Sequence, residues 1–182
     1  KMQLYQGRPA DMTGRQDKEK GNELLDRLGI AYERVGHEAA ETMEACEEID
    51  KFLAPAVICK NLFFMQHTEK RKFYLLMIRG DKKFKNKKRF HHRFTVQDFP
   101  LPPAEKMEEY LDILPGSVSV LGLMNDKEHQ VQLLVDEDVL NAEYVWCHPC
   151  VNTSSLRLKT SDIFNTFLKE VSHDYITVVL SE

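Results

Sequence analysis

Ala56-Val57-Ile58-Cys59-Lys60-Asn61-Leu62-Phe63-Phe64-Met65 is an almost unbroken apolar run closed off by Pro55 on one side and a polar stretch, 67–72, on the other. A run of this length and composition is the pattern of a β-strand covered on both faces. Lys60 and Asn61 interrupt it. A cation within such a strand is unfavourable unless it is paired or faces a cavity. The alternative is a strand-edge lysine whose stem packs while its ammonium reaches water. Both readings stay open at the level of these ten residues.

Working outward, Phe73–Ile78 supplies a hairpin partner across the polar turn. Further strands are predicted at Ile30–Val35, Val118–Met124, Val131–Val135, Tyr144–Cys147, Leu156–Leu158 and Tyr175–Leu180, with a turn at Asn125-Asp126-Lys127. Helical spacing of Leu24, Leu25 and Leu28 predicts a helix over Asp17–Leu28, with Gly29 where a C-cap belongs. Met43–Leu53 reads as a second helix stopped before Pro55, and Glu105–Leu111 as a third. Glu137–Asn141 reads as a single helical turn. Thr160 or Ser161 is placed to cap a helix whose apolar face is Ile163, Phe164, Phe167, Leu168 and Val171. About seven strands with interspersed helices and no internal repeat give an α/β (α+β) chain with a mixed sheet, read as one domain over 1–182.

Composition narrows the function classes. The 182 residues are 42% hydrophobic and 30% charged, as in a soluble globular protein. No stretch approaches the ~20 apolar residues of a membrane span, and the N-terminal residues lack the apolar core of a signal peptide. A cytoplasmic protein is expected. The net charge of −4 excludes a global basic field of the kind nucleic-acid coat proteins carry. One local exception is the run Lys82, Lys83, Lys85, Lys87, Lys88, Arg89, which could neutralise phosphates or be a solvated loop.

Two further segments carry chemistry. In Pro115-Gly116-Ser117-Val118-Ser119-Val120 a glycine and two hydroxyl residues form a small-residue loop. Consecutive N–H groups in such a loop can converge on an anionic oxygen, although Pro-Gly-Ser is also ordinary turn chemistry. In Cys147-His148-Pro149-Cys150 the cysteines have redox spacing, yet Val151-Asn152-Thr153-Ser154-Ser155 is no helix start, which is what lowers a thiol pKa in redox sites. Cys46 and Cys59 are too far apart to give the second close pair of a zinc site.

These segments, with Gly7-Arg8-Pro9, Glu38–Met43, Tyr74-Leu75-Leu76 and Leu121–Asp126, resemble the YbaK/ProX superfamily of prolyl-tRNA editing proteins, most of all its free-standing branch. They run in family order along nearly the whole chain. The resemblance implies a barrel-like mixed sheet and a deacylase that removes alanine, or another small wrong amino acid, from tRNA(Pro). Missing methylenes are worth only about 1–3 kcal/mol to a synthetase pocket, so a second, smaller pocket restores fidelity.

The resemblance also implies roles. Lys60 would hold phosphate or polarise the ester as a point charge, and Asn61 would orient the terminal adenosine or the ester. Gly116 would lead backbone N–H groups of Ser117, Val118, Ser119 and Val120 toward the reacting carbonyl. His148 would position substrate or water, with Asn152 and Thr153 beside the substrate. The family leans on the substrate's own ribose 2′-hydroxyl. No cofactor and no metal are implied, and neither Cys147 nor Cys150 is expected to be catalytic. The expected partner is the aminoacyl-tRNA(Pro) acceptor end, with transient association to prolyl-tRNA synthetase. A Cys-tRNA(Pro) deacylase and a non-catalytic aminoacyl-tRNA or amino-acid binder are the alternatives.

Two departures stand out. Val120 occupies a position where many relatives carry proline. Residues 88–103 do not read like the family, but a back-translation of Arg93–Pro103 shifted by one base gives Gln-Ile-Tyr-Ser-Ala-Arg-Leu-Ser-Phe-Ala-Ser, a family-like segment. The sequence therefore predicts a compensated frameshift there, which makes His91 and His92 poor ligand candidates.

Overall fold

The computed structural model describes residues 4–6, 21–36, 48, 51, 57–66, 72–80, 89–90, 94–95, 104–114, 116–150 and 154–179. The strands are β1 (Leu4–Gln6), β2 (Glu33–Gly36), β3 (Val57–Gln66), β4 (Lys72–Arg79), β5 (Arg89–Phe90), β6 (Phe94–Thr95), β7 (Val131–Asp136), β8 (Tyr144–Cys147), β9 (Ser154–Lys159) and β10 (Tyr175–Val178). Eight of them form one mixed sheet in the order β1-β2-β9-β8-β3-β4-β7-β10, while β5 and β6 pair with each other. Helices α1 (Gly21–Arg27), α2 (Ala104–Leu111) and α3 (Glu137–Leu140) flank it. The mixed, helix-flanked sheet is the expected one, and among the described residues no pairing joins its two edge strands.

The decisive run behaves as its composition dictates. β3 and β4 form an antiparallel pair from Cys59↔Arg79 to Gln66↔Lys72 without a bulge. Because side chains alternate between faces, Phe63, Met65, Phe73, Leu75 and Met77 join one buried cluster with Leu133, Val135, Leu156, Leu158 and helix residues such as Leu25 and Phe167. Phe64, Tyr74, Leu76 and Ile78 join a second buried cluster with Leu134 and Val178 on the other face. Six consecutive residues of β4, Phe73–Ile78, are buried. The central strands are covered on both sides, which is why they show no polar alternation.

Two expectations need correction. Val120–Asn125 is a 3-10 helix, not a strand. Its residues Val120–Leu123 are buried all round, and an apolar run with no solvent-facing side carries no period that separates strand from buried helix. Ser119 starts the turn by accepting the Leu121 N–H at 3.2 Å. Gly122 lets it lie flat on the end of α2, since a Cβ there would sit 2.5 Å from Ile113 Cδ1. Second, neither Thr160 nor Ser161 caps the C-terminal helical segment. Ser161 is already helical and makes no cap bond, and Thr160 Oγ1 has no partner. The chain runs straight from β9 into Asp162–Phe167, wound as a π-helix, and the α-turn Leu168–Glu170. The expected turn at Asn125–Lys127 is present, and Asp126 organises it. Asp126, 3% exposed, accepts the N–H groups of Gln130 and Val131 at 2.9 and 2.8 Å. Its carbonyl accepts the N–H of His129 and the Nε2–H of His173. One residue thus ties the 3-10 helix to β7 through its carboxylate and to the C-terminal segment through its carbonyl.

Most of Met43–Leu53, most of the lysine run, residues 96–103, Asn152 and Thr153 lie outside the described residues. No helix among the described residues is long and apolar enough to cross a membrane.

Candidate active site at a split between parallel strands

β3 and β8 run parallel but share only two rungs, Val57↔Val145 and Ile58↔Trp146. Beyond them each strand keeps its other neighbour: Cys59 faces Arg79 of β4, and Cys147 faces Leu156 of β9. The sheet therefore divides after Ile58 and Trp146. The residues just past the division are Cys59, Lys60 and Asn61 on one strand and Cys147 and His148 on the other. Crevices at the carboxyl ends of diverging parallel strands are where open α/β sheets bind ligands.

Strand alternation sorts these side chains. Cys59 packs on the main cluster, so Asn61 leaves β3 on that same face and Lys60 on the opposite one, with Leu62 and Phe64. Lys60 is exposed. Asn61 is half-buried, and its Oδ1 is fully enclosed with no hydrogen-bond partner. A buried unsatisfied acceptor is unfavourable by about 1–3 kcal/mol, and it stands at the mouth of the division.

The small-residue loop lies against the end of β8, where the Ser119 hydroxyl hydrogen-bonds the Cys147 thiol. Gly116 is exposed at φ +88°, a conformation glycine adopts without strain. The Ser117 N–H donates to the Leu114 carbonyl at 3.1 Å and closes the turn. That corrects one expectation: Ser117's N–H is spent within the loop. Ser119 and Val120 are fully buried. The Ser119 hydroxyl serves Leu121 N–H and hydrogen-bonds the Cys147 thiol, so its side chain anchors the loop and does not face a ligand. Val118 stays half-buried and packs on the core.

His148 is half-buried, and its Nδ1 lies 2.8 Å from the Ser154 carbonyl. A carbonyl can only accept, so Nδ1 donates to it and the ring's orientation is fixed. Burial pushes the Cys147 thiol up to about 12, offset in part by the Ser119 hydrogen bond. Burial, then the neighbouring Cys147 and Asp112, pushes Cys150 up to about 12. Burial also raises the Cys59 thiol, with Cys147 and Asp136 adding to it. These thiols stay protonated near neutrality and are poor nucleophiles. Among the described residues no group of three His, Cys, Asp or Glu side chains is arranged to hold a metal ion.

Residues 37–166 match the aminoacyl-tRNA editing domain. The chain belongs to that family. It is 27% identical over 139 residues to the prolyl-tRNA editing protein ProX of Acetoanaerobium sticklandii, covering 76% of this chain and 83% of that one. The fold matches the crystal structure of a candidate trans-editing enzyme for prolyl tRNA synthetase, with a TM-score of 0.64, 16% identity, and coverage of 92% of this chain and 98% of that one. A hypothetical protein of known structure matches equally well in fold, with a TM-score of 0.64 and 16% identity over 90% of this chain and 99% of that one.

The structure thus sets Lys60, Asn61 and His148 just past one division of the sheet, with Lys60 and Asn61 on opposite faces of β3. Sequence reasoning missed Gly80, which holds that division in shape. Its N–H donates to the Ile58 carbonyl at 2.6 Å, and a Cβ there would lie 2.8 Å from the same oxygen. A glycine directly after a predicted strand was the available signal, and it reads first as a turn.

Proposed function

We propose that this protein is a trans-acting aminoacyl-tRNA deacylase that clears mischarged tRNA(Pro), with alanine as the preferred acyl group. Family membership and the similarity to ProX support the RNA substrate. The observation that carries the site is the enclosed, unpartnered Oδ1 of Asn61 at the division of β3 from β8. An acceptor left unsatisfied in the free protein fits a donor on the substrate, such as a ribose hydroxyl or an amine of the aminoacylated adenosine.

In this reading the terminal adenosine enters from the Lys60 face, and Lys60 holds phosphate as a point charge. The acyl group lies against the loop, where the N–H groups of Gly116 and Val118 receive the carbonyl oxygen as it becomes an oxyanion. His148, its ring oriented by the Nδ1–H bond to the Ser154 carbonyl, takes the proton of the attacking water, steadied by the ribose 2′-hydroxyl. The ester C–O bond then breaks, and the 3′-oxygen leaves with a proton. Asn152 and Thr153 complete the substrate side. No step requires a thiolate, in keeping with the raised cysteine pKa values.

The test is a panel of tRNA(Pro) charged with Ala, Cys, Ser and Pro. Ala-tRNA(Pro) should be hydrolysed fastest and Pro-tRNA(Pro) spared. Lys60→Ala should lower Ala release at least about tenfold, the loss of a charge-assisted contact worth roughly 1.5–3 kcal/mol. Unchanged hydrolysis by that variant sinks the assignment, and faster release of Cys transfers it to the sibling activity.

A further inference from the structure

We propose that a second site, for a free α-amino acid in its zwitterionic form, lies at the opposite end of the sheet from the division. A cavity of about 550 Å³ opens there between the first residues of β4, β7 and β10, lined by Lys72, Tyr74, His129, Gln132, His173 and Asp174 among others. That volume is in the range of small-molecule sites. Lys60 pairs with Ile78 and Lys72 with Gln66, six residues along the same hairpin, so the cavity is about 20 Å from the division.

The hydrogen bonds around it decide the ligand's chemistry. His129 Nε2 lies 3.2 Å from the Val171 carbonyl, and His173 Nε2 lies 3.2 Å from the Asp126 carbonyl. Both partners can only accept, so each ring donates from Nε2. The two rings sit 4.8 Å apart, centroid to centroid. Gln132 Nε2 donates to the Leu133 and Asp174 carbonyls, and the neighbouring Gln130 Nε2 to the Glu128 carbonyl. The amides are left with their oxygens to offer. The cavity wall therefore offers acceptors, the Gln130 and Gln132 amide oxygens and the Asp174 carboxylate, beside donors, the Lys72 ammonium and the Ser172 hydroxyl. An ammonium group, with three N–H donors, matches those acceptors, and a carboxylate matches the donors. A metal ion does not, since no three of these side chains converge with ligand geometry.

Lys72 is the one cationic residue of the lining and Asp174 the one fixed anion. A ligand carrying both an ammonium and a carboxylate satisfies the two together, whereas a simple amine would meet Lys72 as a like charge. Deacylation releases such a molecule, yet this inference does not rest on that activity, because the binding test needs no turnover.

The experiment titrates the full chain with L-alanine and follows the imidazole ¹⁵N resonances of His129 and His173. Saturable shifts with half-saturation in the millimolar range, about −4 kcal/mol, are expected. Alaninamide, which lacks the carboxylate, and N-acetylalanine, which lacks the ammonium, should each bind at least about tenfold more weakly. Lys72→Ala and Asp174→Asn, both at exposed positions, should each weaken alanine binding by a similar factor. No saturable shift, or alaninamide and N-acetylalanine binding as well as alanine, overturns the proposal. Failure of the tRNA panel would leave this titration interpretable, and the reverse also holds.

Discussion

Replacing Gly80 with alanine tests whether the division between β3 and β8 is a positioned site or an incidental gap. The added Cβ would lie 2.8 Å from the Ile58 oxygen and 3.5 Å from its carbonyl carbon. Ordinary carbon–oxygen approach is about 3.3 Å or more, so two backbones must part by roughly half an ångström. Neither is a flexible side-chain end that can swing aside. The parting also stretches the Gly80 N–H bond to Ile58, now 2.6 Å. Overpacking of this kind is worth about 1–3 kcal/mol, and the weakened hydrogen bond adds up to about 1 kcal/mol. Alanine's lower unfolded-state entropy returns about 0.4–1 kcal/mol. The net loss of about 1–3 kcal/mol corresponds to a fall in Tm of about 2–12 °C for a chain of this size. Ile58 is the last rung before the strands separate, so Lys60 and Asn61 shift with it. A displacement well under 1 Å should lower kcat on Ala-tRNA(Pro) by about tenfold. The control is Gly36→Ala, where nothing lies within 4 Å of the new Cβ and neither quantity should move. Differential scanning fluorimetry and single-turnover hydrolysis read both. If Gly80→Ala melts and turns over like the parent, the close approach does not shape the site and the reasoning fails.

Other outcomes follow from single residues. Gly116→Ala forces an L side chain to φ +88°; it should destabilise by about 1–2 kcal/mol and slow deacylation more than Gly80→Ala does, whereas an unaltered rate would remove the loop from the site. Ser172 holds φ +56° at the end of the C-terminal helix, the position glycine favours, so Ser172→Gly should raise stability by about 0.5–1 kcal/mol in urea unfolding, and a loss would contradict the assignment. Burial, with neighbouring His129, lowers the His173 pKa below 6.5 despite the opposing influence of Asp126 and Asp174. The unfolded chain therefore binds that proton first as pH falls. Stability should be complete above about pH 6.5 and decline as acid reaches the folded-state pKa; His173→Gln should flatten the slope measured between pH 7.5 and 5.5.

What could be seen from sequence and what could not divide along physical lines. Strands covered on both faces announce themselves by composition, so β3, β4 and β7 were legible to within a residue or two. Gly29 marked the end of α1 because φ +70° there needs no Cβ. The run 118–124 was misread because burial on all sides erases the polar positions that carry periodicity. The caps at Thr160 and Ser161 were misread because a helix entered directly from a strand has its first N–H bonded elsewhere: Thr160 N–H donates to the Glu143 carbonyl at 2.9 Å. At the site, Lys60 and Asn61 stood out as polar residues in an apolar strand, and His148 stood out beside two cysteines. That Ser119 serves the protein and not the ligand could not be read, since its role is set by Cys147, 28 positions away.

The interruption of β3 by a charged and a polar residue has its reason in the topology. A central strand tolerates Lys60 and Asn61 only where one of its neighbours departs, and β8 departs after Trp146. Had the parallel pairing continued, Cys59 would face Cys147 and the next rung would seal both strands against solvent. An exposed Lys60 and an enclosed, unsatisfied Asn61 on adjacent positions are stable together only at such a boundary, where one face of the strand is wet and the other is closed. The same two residues that weaken the strand as a strand are therefore accommodated at its divided end.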